Sequence, residues 1–209
     1  INISSKKTVV FLFFTIILLT GIFVYKDYGL TIDDEYYRKN GFFYKEFITK
    51  YIYHLFNLDF VKLDLLSNEI QNNSLRNHPA TFEIILAFLS DFLKLNQINE
   101  IYNLSHLLNF IIYTISLYLF YKILNKRFKN SYLSILFVII IFLTPRFFAE
   151  SFYNSRDIFF FSLFILFLYS AQKYIYKDNI QNILLISFSS ALLINAKVLG
   201  IIPFILFFI

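Results

Sequence analysis

Asp33, Asp34 and Glu35 stand side by side a few residues after an uncharged apolar run. A carboxylate stays ionised in such a place only in water, beside a cation, or with a shifted pKa. The cluster is therefore either a solvated loop start or a proton acceptor. Further ionisable groups recur near the ends of later apolar runs: His78 and Glu83, Arg146, Arg156 beside Asp157, and Lys197. Taken singly, each reads as a solvated cap. Brought to one rim, they would join a carboxylate base to cations that hold a phosphate, the equipment for transfer from a phosphate-bearing lipid. Arg suits bidentate phosphate contact. The competing assignments are an ion pair with Asp157 for Arg156 and snorkelling to the interface for Lys197.

Whether these groups share a rim depends on the elements that carry them. The chain is 58% hydrophobic and only 16% charged, which is too apolar for a soluble domain and points to an all-α, multi-pass membrane protein. Thr8 to Tyr25 carries no charge and is long enough, at ~1.5 Å per residue, to cross about 30 Å of hydrocarbon. It is longer than a signal-peptide core and lacks a small-residue cleavage site, so it reads as a retained span. Further spans are expected at 101–121, 131–148, 158–172 and 180–195, with another beginning at 198–209.

Residues 26–100 form a long loop on one side of the membrane. Within it, Phe43, Phe47, Tyr51, Ile52 and Leu55 recur at helical spacing. Pro79 to Lys94 repeats the pattern with Phe82, Ile85, Leu89, Phe92 and Leu93, and with a Pro at the helix start. These two read as amphipathic helices lying along the membrane surface; the competing assignment is a packed soluble subdomain. Asn57 to Asn77, which includes an Asn72-Asn73-Ser74 sequon read as accidental, is expected to be a polar loop. Arg146 to Asp157 is expected to be a polar turn.

Lys6 and Lys7, Lys122 with Lys126, Arg127 and Lys129, and Lys173 with Lys177 fall on one side, with Asp178 as their only acid. The short segments opposite carry Arg146, Arg156 and Lys197. The Lys-rich side is therefore cytoplasmic, and the N-terminus with it. The acidic cluster, the long loop and the 146–157 segment face outward, which in a bacterium is the periplasmic or extracellular side of the inner membrane. Richness in Phe, Ile, Asn, Lys and Tyr points to an AT-rich bacterial genome. The net charge of +5 and pI near 9.2 follow from the cytoplasmic loops, so nucleic acid is not an expected partner. The chain has no Cys, hence no disulfide, thiolate metal site or thiol nucleophile. The lack of Met at position 1 and the apolar run reaching Ile209 read as an internal piece of a longer protein. His106 falls inside a span and reads as a satisfied polar group; His54 reads as incidental.

In order and sidedness, these features resemble the GT-C membrane glycosyltransferases, in the branch of the protein O-mannosyltransferases and lipid A aminoarabinose transferases. Ile32-Asp33-Asp34-Glu35 resembles the acidic pair after the family's first span. His78-Pro79 resembles its His-Pro-Pro motif, with Ala80 in place of the second Pro. Pro145-Arg146-Phe147-Phe148 through Asn154-Ser155-Arg156-Asp157 resembles a segment with an outer-loop aspartate. Asn195-Ala196-Lys197-Val198-Leu199-Gly200 resembles another, in which Arg is commoner than Lys. The resemblance implies a GT-C-like helix bundle with amphipathic juxtamembrane helices in a long first outer loop. It further implies transfer of a sugar from a polyprenyl-phosphate donor to a protein, lipid or glycan acceptor, with inversion. Asp33 would be the general base and Asp34 the second choice. Asp157 would orient a partner of Asp33 or a metal. Arg146, Arg156 and Lys197 would hold the phosphate, with His78 and Glu83 also near the substrate. The resemblance leaves room for a divalent metal ion, although no metal-ligand spacing demands one. Membrane lipids are partners in any case. The alternatives are a transporter or lipid flippase, whose ionisable sites lie deep on broken helices, and a non-catalytic assembly subunit.

Overall fold

The apolar runs fold as helices, the conformation in which a single segment satisfies its own backbone hydrogen bonds. The computed structural model describes residues 3–73 and 78–209. It is 85% helical and, among the described residues, has no strand. The chain divides into two units: Ile1–Gly29 with Tyr102–Ile209, and Leu30–Ile101.

The first unit is built on α1 (Ile3–Val24), α5 (Ile98–Phe128) from Tyr102 onward, α6 (Ser131–Leu143), α7 (Pro145–Tyr153), α8 (Ser155–Tyr176), α9 (Ile180–Ala196), a 3-10 turn at Val198–Gly200, and α10 (Ile201–Phe208). Among the described residues, three helices are long and apolar enough to cross a membrane: Lys7–Val24 of α1, α5 and α8. Only 17% of the α1 window is buried, and its exposed face carries Phe11, Leu12, Ile16 and Phe23. A helix that is apolar on its exposed face suits lipid as its solvent. α5 carries Glu100 in its first turn and Lys126 and Arg127 in its last, each charge complementing the helix dipole.

The span expected at 131–148 is not continuous. α6 ends at Leu143 and α7 starts at Pro145, with a bend of 67° between them. Thr144 precedes a proline, which disfavours helical backbone, and it adopts φ −63 ψ 117. Pro145 then occupies the first turn of α7, where its missing N–H costs nothing. α6 and α7 count as a fourth crossing only if taken as one broken span. α9 and α10, expected as further spans, are shorter apolar helices. The expected polar turn at 146–157 is also corrected: α7 occupies most of it, with Phe152 and Ser151 buried.

The core of this unit runs through Ile17, Phe110, Tyr113, Leu117, Val138, Phe142, Phe152 and Ile158. Gly21 lets α1 approach α5, since a Cβ there would fall 2.0 Å from the Phe110 ring. α8 and α9 form a hairpin closed by small residues, with Ser170 and Ser189 hydroxyls 2.7 Å apart. Such residues let membrane helices approach closely.

The second unit contains α2 (Asp34–Phe56), α3 (Phe60–Asn72) and α4 (Thr81–Phe92). α2 packs on α4 and α3, so the two amphipathic helices pair as a subdomain. Phe82, Leu86 and Ala87 are buried in it with Leu63 and Leu66, and Lys45 bonds Asp91 at 2.5 Å. The polar loop expected at 57–77 instead contains α3. Asp59 caps that helix by accepting from Lys62 N at 3.3 Å, and Leu63 and Leu66 give it a buried face. Residues 74–77, with the Ser of the sequon, lie outside the described residues. Pro79 does not begin a helix; Ala80 is the N-cap and α4 starts at Thr81. Apolar residues remain exposed at the α2–α3 corner, including Phe56, Leu58, Phe60 and Val61.

Gly41 sits in mid-α2, where a Cβ would fall 2.5 Å from both Cβ and the carbonyl oxygen of Glu83. Gly41→Ala gains about 1 kcal/mol of helix propensity but overpacks against backbone that cannot yield, which costs about 1–3 kcal/mol. The variant is expected to be less stable and cleaved faster by protease within 57–80. Cleavage at the wild-type rate would show that α2 and α4 do not meet so closely. Because the chain lacks Cys, sidedness is also measurable: Ser67→Cys should react with a membrane-impermeant maleimide on intact cells, and Asp178→Cys only after permeabilisation. The reverse pattern would invert the orientation.

Candidate functional site

The richest set of charges in the first unit lies where α6 breaks and α8 begins. The bend at Thr144–Pro145 starts a short helix whose inner face is aromatic. Phe147 meets Phe161 at 5.1 Å, and Phe148 meets Phe142 and Phe152 edge-on. Phe152 lies in a parallel stack between Tyr28 at 4.4 Å and Phe110 at 4.7 Å. Burial, then Tyr153 and Asp27, push the Tyr28 phenol above its usual pKa, so it stays protonated. With Phe147, Phe148 and Phe152 turned inward, the helical period turns Arg146 outward, while the Glu150 side chain, one turn on, stays largely covered.

A continuous chain of polar contacts follows. Arg146 Nε donates to Glu150 Oε1 at 2.8 Å. Asn154 Nδ2 donates to Glu150 Oε2 at 3.3 Å and to Asp157 Oδ2 at 3.0 Å. Asn154 Oδ1 accepts from Asp157 N at 3.0 Å, making Asn154 the N-cap of α8 as well as the residue that closes α7. Lys197 Nζ donates to Asp157 Oδ1 and lies 5.5 Å from the centre of the Phe160 ring. Asp157 is in the first turn of α8 and Lys197 directly follows α9. Each charge therefore complements the dipole of the helix end it occupies, and the hairpin brings those two ends together. Beneath the chain, Asn109 is fully buried on α5 and donates Nδ2 to the Glu150 carbonyl at 3.4 Å. One turn away, His106 Nδ1 lies 3.1 Å from the Tyr25 carbonyl; the residue is buried, a paired polar group inside a span.

Arg146, Asp157 and Lys197, expected together from the sequence, do share this network. Lys197 is paired with Asp157 rather than left to snorkel. Arg156 is exposed on the same turn of α8 and adds a longer-range attraction to Asp157. Three cations, Arg146, Arg156 and Lys197, share the patch with two carboxylates, Glu150 and Asp157. Two members escaped the sequence reading: Glu150 and Asn154. Both left a signal, because Arg146 and Glu150 are four apart, the spacing of a helical ion pair. Asn154-Ser155-Arg156-Asp157 likewise has an N-cap residue three before an acid.

The second unit holds the remaining candidates. Asp33 is the N-cap residue of α2, exposed and without a side-chain cap bond. Asp34 is committed locally: its two oxygens accept from Thr31 N and Thr31 Oγ1, both at 2.6 Å. Glu35 is exposed and paired with Lys39 at 2.6 Å; that hydrogen bond and charge draw its pKa below the usual value. His78 returns to the same turn of α2, its ring edge-on to Tyr36 at 5.9 Å and Tyr37 at 6.0 Å. Glu83, expected near the substrate, is instead buried in the α2–α4 contact opposite Gly41. Its place in the first turn of α4 and the missing side chain of Gly41 put it there. His54 lies 3.7 Å from Asp59 at the α2–α3 corner. Among the described residues, no three His, Asp or Glu group as a metal site.

No family model, curated protein or solved structure matches the chain. The likeness to the membrane glycosyltransferases therefore rests on the residues quoted above.

Asn154 joins the two halves of the network. Asn154→Ala should lower the stability of the full chain in detergent by about 1 kcal/mol, the usual cost of an N-cap, and Asn154→Ser should recover most of it. Equal melting of all three proteins would remove Asn154 from this role.

Proposed function

We propose that the chain belongs to an enzyme that transfers a sugar from a polyprenyl-phosphate donor to an acceptor hydroxyl at the outer membrane face. The observation that carries the reading is the network from Arg146 to Lys197, a cation-rich patch at the ends of apolar helices, where a lipid-borne phosphate would lie. Arg146, Arg156 and Lys197 serve the donor phosphate and steady its charge as it leaves. Asp157 and Glu150 position two of those cations. Asp33 serves as the base because Asp34 is held by Thr31 and Glu35 by Lys39. It takes the proton of the acceptor hydroxyl as that oxygen attacks the anomeric carbon. The bond from that carbon to the phosphate oxygen breaks on the opposite face, so the lipid phosphate departs and the configuration inverts. His78, at the same helix start, is assigned to acceptor contact. The protein sits in the inner membrane on this reading, with protein, lipid or glycan as acceptor.

One observation favours a second reading. A span broken by 67° and the buried polar residues of α5 are also features of transporters and flippases. Against it, Asp157 and Lys197 lie at helix ends and, among the described acidic and basic residues, His106 is the one read as deep in a span. An assembly subunit would use the same outer surface without chemistry.

Transfer from a radiolabelled polyprenyl-phosphate sugar by the full-length, membrane-inserted protein separates the readings. Asp33→Asn should lower the rate by about 10²–10⁴, the usual worth of a general base. Lys197→Gln and Arg146→Gln should each lower it by about 10²–10³, the scale of a lost charge stabiliser. A normally inserted Asp33→Asn protein that transferred at the wild-type rate would remove Asp33 as base. Absence of transfer by the intact wild-type protein would favour the transporter or subunit.

A further inference from the structure

At the other end of α1 from Tyr25, an open groove of about 710 Å3 runs between α1 and α5. Its wall is apolar where Phe11, Phe14 and Leu18 of α1 face Tyr118 and Tyr121 of α5. One end is polar: Lys7 and Lys122 flank it, with Asn125 and Ser131 beside them. Both lysines are exposed, and no carboxylate is among the lining residues. Ser131 Oγ donates to Asn125 Oδ1 at 3.1 Å, which leaves the amide N–H2 as the donor. Lys122 Nζ lies 5.5 Å from the centre of the Tyr118 ring, a contact that holds the ammonium at the mouth.

The length of the groove identifies its occupant. From Lys7 to Leu18 it follows α1 for about 16 Å at ~1.5 Å per residue. One leaflet of a ~30 Å hydrocarbon core is about 15 Å deep. An acyl chain of one leaflet fills such a groove with its headgroup at the mouth, whereas a long isoprenoid would overrun it. Basic pockets between membrane helices on the Lys-rich side suit anionic headgroups.

We propose that this groove holds one anionic phospholipid of the Lys-rich leaflet, its acyl chain along Phe11, Phe14 and Leu18 and its phosphate between Lys7 and Lys122. The site is separate from the Arg146–Lys197 network and stands whether or not the chain belongs to a transferase. Nearby Lys126 does not take part, since its Nζ lies over the Tyr176 ring at 4.2 Å.

Native mass spectrometry of the full chain in detergent, titrated with dioleoyl-phosphatidylglycerol or dioleoyl-phosphatidylcholine, tests the site. Wild type should retain the anionic lipid about thirtyfold more tightly, the effect of two lysines near a lipid surface. The Lys7→Gln/Lys122→Gln double variant should bring the two lipids near parity, and Lys126→Gln/Lys129→Gln should keep the wild-type preference. Thr15→Phe, which fills the apolar half of the groove, should weaken both lipids. The proposal fails if wild type shows no preference, if the Lys126/Lys129 variant loses it equally, or if Thr15→Phe binds as wild type does. Displacement of the lipid by soluble glycerol phosphate would also overturn it, because the groove would then be a plain anion site.

Discussion

Much of the first unit depends on one backbone constraint, the residue before a proline. Thr144 cannot comfortably continue α6 because Pro145 crowds its helical conformation. The chain turns by 67°, and α7 follows at once because Pro145 suits a first turn. Had the helix continued straight, Phe147, Phe148 and Phe152 would extend an apolar span. After the bend they enter the core, and Phe152 becomes the middle ring between Tyr28 and Phe110. The same rotation turns Arg146 outward over a largely covered Glu150 and leaves Asn154 to end one helix and begin the next.

Polar groups then hold positions that hydrophobicity alone cannot fix. In an apolar bundle, burying Leu against Leu discriminates little between one helix rotation and another, whereas a buried amide or hydroxyl has few acceptable partners. Asn109 reaches the Glu150 carbonyl, Gln172 Nε2 reaches the Ile123 carbonyl at 3.2 Å, and Ser170 meets Ser189. These contacts tie α5 to α7, α5 to α8, and α8 to α9. The Lys197–Asp157 pair closes the open end of the α8–α9 hairpin. Because both residues are partly exposed, the pair is worth little as stabilisation. Its consequence is placement: a cation is held at the start of α8 beside Arg156.

The second unit obeys a different rule. Its helices have one apolar face each, and α2 and α4 bury those faces on each other where Gly41 admits the Glu83 backbone. The acids at its start are then sorted by their neighbours. Thr31 occupies Asp34, Lys39 occupies Glu35, and Asp33 keeps an exposed carboxylate. Three adjacent acids that look equivalent in the sequence therefore have three different environments, which is why the proposed chemistry falls to Asp33.

The sequence by itself determined the apolar runs, the helical character and the positions of most helices. Long uncharged runs leave the backbone no partner but itself, and the Lys-rich ends are legible without coordinates. It also placed Arg146, Asp157 and Lys197 at helix ends. Only the tertiary structure decided how those ends meet. Lys197 reaches Asp157 because a hairpin folds back on itself, and His78 reaches Tyr36 and Tyr37 because α4 returns along α2. Glu83 became an interior residue for the same reason, since burial depends on what faces a helix and not on its own period. The α3 helix escaped a reading based on polar composition, because its buried face consists of little more than Leu63 and Leu66. The break at Thr144 was written in a single proline, but its direction came from where the surrounding aromatic rings could pack.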